Sequence, residues 1–217
     1  MEPKFPDKVN LGFWPTPIEP LERLSKYLGG PELWIKRDDQ SGLATGGNKT
    51  RELEFLVADA VAHGADHLVT TGAPQSNHAR QTAAAAARLG LGCSLVLRGP
   101  KPDTFTGNLL LDELLGAHVY WSDTRDCTES IGRVMAERRA IGRHPYLIPL
   151  GGSNVIGATG YVLAMQELME QISAAHLNFD FIVFASSSGG TQAGVALGAR
   201  AFGYRGSVLG ISVDHPA

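Results

Sequence analysis

A chain of 217 residues with 43% apolar and 19% charged residues has an ordinary globular composition, which excludes a disordered protein. Its net charge of −3, with no basic stripe, argues against a nucleic-acid surface. No apolar run reaches the roughly 20 residues of a membrane span, and the opening "MEPKFPDKVNLGFWPTP" lacks the charged and apolar regions of a signal peptide, so a cytoplasmic location is expected.

In chain order, "ELWIKR" (32–37) reads as a strand. "NKTRELEFLVADAVAHG" (48–64) places Leu53, Leu56, Val57, Ala60 and Val61 at offsets of three and four, one face of a helix, with Lys49 as the first helical residue and Gly64 as C-cap. "HLVTTG" (67–72) is a short buried strand. "SNHARQTAAAAARLG" (76–90) is a helix between an N-cap at Ser76 and a C-cap at Gly90. Strand 93–99, helix 106–116, strand 117–122, helix 128–142 and strand 146–151 follow. Helix 157–175 carries Tyr161, Met165, Leu168, Met169 and Ile172 on one stripe, which reads as core. Strand 180–186, helix 190–203 and strand 207–213 close the series. Cys93 and Cys127 form no C-x-x-C and read as reduced packing residues; no metal site is expected.

Strand–helix alternation with short connections predicts an α/β protein with parallel sheets and helices on both faces. The organisation expected is two doubly wound parallel-sheet domains. A smaller one spans 49–155. A larger one, from 1–48 and 156–217, is incomplete at the C-terminus, because the last strand runs into "DHPA" with no helix to cover it. A fragment of a longer chain, or a sheet completed by a partner, would explain this.

Ligands of open α/β sheets bind beyond the carboxyl ends of the strands, where three polar turns fall. Ser186–Thr191, small and followed by a helix N-terminus, suits an anion, yet lacks the Walker lysine and is not G-x-G-x-x-G. Gln75–His78 offers amide, hydroxyl and imidazole groups at a helix start. Gly46-Gly47-Asn48-Lys49 puts a lysine where the helix dipole disfavours an ammonium group. A neutral amine is what Schiff-base chemistry with an aldehyde requires, and an amine near an anion turn suggests a cofactor carrying both aldehyde and phosphate, pyridoxal 5′-phosphate. Taken singly, each turn also has a plain reading: a capping serine, a serine-rich loop, a solvated lysine.

Together, "PTPIEPLERLS" (15–25), "IKRDD" (35–39), "GGNKTRELEFL" (46–56), "QSNHARQTAA" (75–84), "GGSNVIGATGY" (151–161) and "SSSGGTQAG" (186–194) resemble the tryptophan-synthase-β-like, fold type II pyridoxal-phosphate enzymes. Within these the likeness is to the branch of D-cysteine desulfhydrase, L-cysteate sulfo-lyase and 1-aminocyclopropane-1-carboxylate deaminase. The resemblance implies that Lys49 is the Schiff-base lysine and moves protons at the substrate carbon. It implies Asn48, Asn77, Ser187, Ser188, Gly189, Gly190 and Thr191 at the cofactor, with Asn77 at its ring oxygen. Ser76, as carboxylate-binding and catalytic serine, Asn77 and His78 are implied at the substrate. His78 resembles the desulfhydrase and sulfo-lyase side, the deaminases usually having Gln there.

The activity so implied is α,β-elimination from D-cysteine or L-cysteate to pyruvate and ammonia by a homodimer. Deamination of the cyclopropane amino acid and a catalytically inactive truncated homologue are the alternatives. Family members run well past 217 residues. They typically carry a basic residue three positions after the lysine, where this chain has Glu52. A carboxylate facing a phosphate would repel it; one facing elsewhere would simply serve the first helical turn. The sequence leaves both open.

Overall fold

The computed structural model describes residues 5–124 and 126–213. In chain order the elements are β1 (Ile18–Pro20), α1 (Glu22–Leu28), β2 (Trp34–Lys36), α2 (Lys49–Ala62), β3 (His67–Gly72), α3 (Asn77–Leu89), β4 (Gly92–Arg98) and α4 (Gly107–Leu114). There follow β5 (His118–Ser122), α5 (Thr128–Ala140), β6 (Pro145–Leu147), α6 (Val155–Ala174), β7 (Phe181–Ser186), α7 (Gly190–Ala201) and β8 (Ser207–Ser212).

Strands β3 to β6 form a parallel sheet in the order β5-β4-β3-β6, with His67 opposite Gly92 and Pro145. Side chains alternate across it. Leu68, Leu95 and Leu97 face a core with Leu53, Leu56 and Val57 of α2, the alanines of α3 and Leu109 of α4. Val69 and Val96 face Val134 of α5 and Cys127 on the other side. Helices therefore cover both faces, as the alternation of elements predicts. The alanine run lets α3 lie close on the strands, and Ala83, Ala85 and Ala86 are fully buried.

A second core joins α6 and α7 to one face of the parallel pair β7–β8. The stripe Tyr161, Met165, Leu168 and Ile172 is buried there, with Met169 packed against it. The opposite face of the pair leaves Phe181, Val183, Leu209 and Ile211 exposed. Residues 214–217, the "DHPA" of the uncovered strand end, lie outside the described residues.

Several expectations need correction. The strand expected over 32–37 is only Trp34–Lys36, and it pairs antiparallel with β1, so it forms its own ribbon rather than joining β7 and β8. The strand expected over 146–151 stops at Leu147. Gly151 and Gly152 adopt φ of 66° and 68° and turn the chain into a short 3₁₀ segment. Helix α2 ends at Ala62 with His63 as cap, and Gly64 follows at φ 72°. Val61, placed on the buried stripe by spacing, is 48% exposed.

Glycines set how closely the helices cross. A Cβ on Gly160 of α6 would overlap the carbonyl group of Arg51 on α2, lying 2.5 Å from its carbon. On α7, a Cβ at Gly198 would come 2.6 Å from Met165 Cβ. Backbone thus packs on backbone where α6 crosses the helix that begins with Lys49. Gly160→Ala is expected to cost about 1–3 kcal/mol, because neither backbone can yield cheaply. Gly132→Ala, with open space at the same atom, is expected to gain roughly 0.5–1 kcal/mol of helix propensity. Urea unfolding midpoints of both variants read the contrast, and equal midpoints would refute the close crossing.

Candidate active site

The loop before Lys49 is held from several sides. Gly46 and Gly47 have φ of 75° and 134°, a conformation that favours glycine. A Cβ at Gly46 would overlap the Asp39 carbonyl oxygen. The Arg80 guanidinium donates to the carbonyl oxygens of Ala44 and, at 2.8 Å, Gly46. Ser41 Oγ donates to the Gly47 carbonyl at 2.7 Å, and the Gly47 amide donates back to it. Lys49 then opens α2 with no side-chain cap ahead of it. It is buried, and its Nζ donates to Glu52 Oε1 at 2.8 Å.

The second turn sits at the end of β3. Ser76 caps α3 by accepting from the Ala79 amide at 3.2 Å. Asn77 Nδ2 donates to Asn48 Oδ1 at 2.8 Å, which ties this turn to the lysine loop. His78 points inward. The Thr70 hydroxyl gives its proton to the Ile148 carbonyl, so Thr70 Oγ1 must accept from His78 Nε2 at 2.9 Å. That fixes the tautomer and buries Nδ1 beside the Pro149 backbone. Burial, then the Lys49 charge, pushes the imidazole down to about 3, so it is neutral at physiological pH.

The third turn ends β7. Gly189 at φ 86° is the N-cap of α7. Ser188 and Ser153 share a hydroxyl–hydroxyl hydrogen bond, and the Gly190 amide donates to Ser153 Oγ at 3.2 Å. Thr191 Oγ1 donates to Glu52 Oε1 at 3.4 Å. Glu52 therefore does not turn away from the anion turn. It links that turn to Lys49 while being fully buried. Burial, opposed by Lys49, pushes its carboxyl up to about 7.

The three turns close on one cavity of about 420 Å³. Asn48, Lys49, Ser76, Asn77, His78, Ser187, Ser188, Gly189 and Thr191 all line it; Gly190 does not, lying instead against Ser153. Sequence reasoning missed Arg98, from the end of β4, and Gly151, which also line it. It missed Ser153 and Arg80 as supports too. The "GGSNVIGATGY" stretch carried the signal for Ser153, which the resemblance left without a role.

This donor set fits pyridoxal phosphate. A buried amine stands at one wall. Serine hydroxyls and the amides at the start of the 12-residue helix α7 stand at another. Among the described residues, no Asp or Glu lines the cavity. A side chain at Gly151 would collide with Ser188 and close the turn. Glu52 is the one discordant neighbour.

Comparison with known proteins agrees. The profile of the family described as pyridoxal-phosphate dependent enzyme matches residues 9–216. A D-cysteine desulfhydrase of Yersinia enterocolitica is 46% identical over 208 residues, covering 93% of this chain and 62% of that protein. A putative 1-aminocyclopropane-1-carboxylate deaminase of Pyrococcus abyssi is 43% identical over 214 residues, covering 97% and 64%. A crystal structure of an ACC deaminase homologue superposes with a TM-score of 0.88 at 42% identity, covering 96% of this chain and 63% of that one. The chain thus spans somewhat under two thirds of the length of these relatives. A fold with parallel sheets, a buried lysine facing a serine-rich anion turn and a match over nearly every residue lead to one conclusion: the chain belongs to the family of pyridoxal-phosphate dependent enzymes.

Proposed function

We propose that this chain carries the cofactor-binding part of a lyase that eliminates a β-substituent from a small amino acid, D-cysteine or L-cysteate, to give pyruvate and ammonia. One observation carries the reading: Lys49, Ser76, Asn77 and the turn 186–189 border a single cavity. Residues 49–155 act as the smaller unit, and 1–48 with 156–217 as the larger. The buried, unpaired Cys93 and Cys127 accord with a cytoplasmic setting. The proposal extends to a homodimer, which sedimentation reads directly as chain mass.

When bound, the cofactor supplies an aldehyde for imine chemistry and a conjugated ring that withdraws electrons from the substrate α-carbon. The chain's residues do the rest. Ser187, Ser188, Gly189 and Thr191, with the start of α7, hold the phosphate. Asn77, braced by Asn48, orients the ring oxygen. Ser76 and the first amides of α3 take the substrate carboxylate. Lys49 Nζ removes the α-proton, and thiolate or sulfite leaves from the β-carbon. Neutral His78 adds no charge beside the substrate.

The test is release of pyruvate and ammonia by the cofactor-loaded protein from D-cysteine, L-cysteate and 1-aminocyclopropane-1-carboxylate. Equimolar pyruvate and ammonia from one of the first two is the expected result. The 42% identical ACC deaminase homologue favours a second reading. Ammonia from the cyclopropane substrate alone would establish that one. A loaded protein that turns over none of the three would contradict both.

A further inference from the structure

Glu52 stands where the resemblance leads one to expect a cation, yet it is fully buried inside the site. Its Oε1 lies 2.8 Å from Lys49 Nζ and 3.4 Å from Thr191 Oγ1, and its Oε2 has no partner. One carboxyl group thus touches the amine and the anion turn together. Lys49 faces it from its own helix, Thr191 from α7 and Tyr161 from α6, while Asp38 acts on it from the short 3₁₀ turn after β2. His78 of α3 stands across Gly152, whose added Cβ would meet Glu52 Cβ at 3.3 Å and His78 Cε1 at 3.8 Å. His78 and Tyr161 are neutral at physiological pH, and Asp38 is bonded to Arg51, so Lys49 is the cation that Glu52 answers.

We propose that Glu52 takes a proton from Lys49 as the lysine condenses with the cofactor, and then, as a neutral acid, donates a hydrogen bond to Thr191 Oγ1, whose own hydroxyl proton turns to the phosphoryl group in the serine-rich turn. The proposal rests on the cofactor reading above. The Lys49 ammonium gives one proton to the Glu52 carboxylate. The freed amine lone pair attacks the carbonyl carbon and the C–N bond forms. The carbonyl oxygen leaves as water, carrying the two remaining amine protons. Glu52 keeps the transferred proton, because the lysine charge that opposed burial is gone, and burial, the largest influence, with the Asp38 charge raises the carboxyl against the Thr191 hydrogen bond. The acid then meets the phosphate through the Thr191 hydroxyl, where a lysine would answer it by charge. Glu52 acts through Lys49 and Thr191 and is a positioning residue.

The consequence is one extra proton retained per loaded site. Pyridoxal phosphate affinity is measured by absorbance titration from about pH 7 to about pH 9 for the wild type, Glu52→Gln and Glu52→Lys. The wild-type Kd, divided by that of Glu52→Gln, is expected to rise by about tenfold per pH unit. Glu52→Lys is expected to bind more tightly than wild type at the alkaline end. Difference infrared spectra of the wild type need no folded variant: loading should add a protonated-carboxyl C=O band. Parallel pH profiles, or spectra without that band, would overturn the proposal while leaving the cofactor site standing. A wild type that binds no pyridoxal phosphate at any pH would overturn both.

Discussion

Lys49→Ala is expected to abolish the visible absorbance of the cofactor-loaded protein and to lower turnover by at least about 10²–10⁴-fold, the worth of a positioned acid–base group. Among the described residues, Lys49 is the only lysine that lines the cavity. The loop that presents it is fixed by Arg80, Ser41 and two glycines. On the proposed reading, removing it deletes both the imine nitrogen and the base for the α-proton. The fold should persist. Glu52 loses its partner but is already pushed up to about 7, and without the lysine it rises further. It is then a neutral acid at pH 7, and the cost is that of a buried unsatisfied polar group, about 1–3 kcal/mol. Phosphate contacts remain, so the variant still retains cofactor without the covalent bond. Circular dichroism, absorbance and pyruvate release separate these effects. A variant that kept the visible band would remove Lys49 from the mechanism.

The largest effect on stability is expected at Arg51, two residues further along α2. Its guanidinium is 5% exposed and sits between two carboxylates. Nε and Nη2 each lie 2.8 Å from an Asp38 oxygen, and Nη2 is 2.9 Å from Glu167 Oε1. Trp14 lies under it at 4.1 Å. Lys36 also bonds Glu167, and Thr16 bonds Asp38 at 2.8 Å. This cluster joins β2, the 3₁₀ turn after it, α2 and α6. Arg51→Ala leaves Asp38 buried without a cation bonded to it, and is expected to cost about 3–5 kcal/mol at pH 7.

The pH dependence has a definite sign. Burial alone would raise the Asp38 and Glu167 carboxyls, but the hydrogen bonds and charge of Arg51 outweigh it and hold both below the ordinary carboxylate range. A depressed folded pKa contributes stability that is present above the unfolded value and is lost as pH falls through the folded one. In the variant, burial is left to raise Asp38, which now gains from protonation. The gap between wild type and Arg51→Ala should therefore narrow on acidification below about pH 4. Urea midpoints at pH 7 and near pH 3 read it, and a gap that stayed constant would refute the assignment of these charges.

Much of this was legible in the sequence because its signals are local. Ser76 and Gly90 bracket α3 as cap chemistry requires. Lys49 begins α2, and the alternation of strands and helices yields the parallel sheet. The methionine and aromatic stripe of α6 is core. The failures are non-local or low in signal. β1 is three residues among prolines, and α1 buries no residue, so neither shows a period. The glycine pair after β6 marked a boundary but not the reversal it makes. The direction of Glu52 depends on Thr191, which is 139 residues away and is brought in by α7. Ser153 and Arg80 work through partners of the same kind: Ser188, and the carbonyls of a loop more than 30 residues upstream.

The central claim is that the amine of Lys49 and the turn 186–191 hold the two ends of one cofactor. Reducing the loaded protein with borohydride fixes any imine as a stable secondary amine, and peptide mass mapping then locates it. The account predicts a single pyridoxyl-phosphate addition on the peptide containing Lys49, formed in proportion to the loss of the visible band. Label on Lys36, Lys101 or any other lysine, or a protein that loses its band with no label on Lys49, would contradict it.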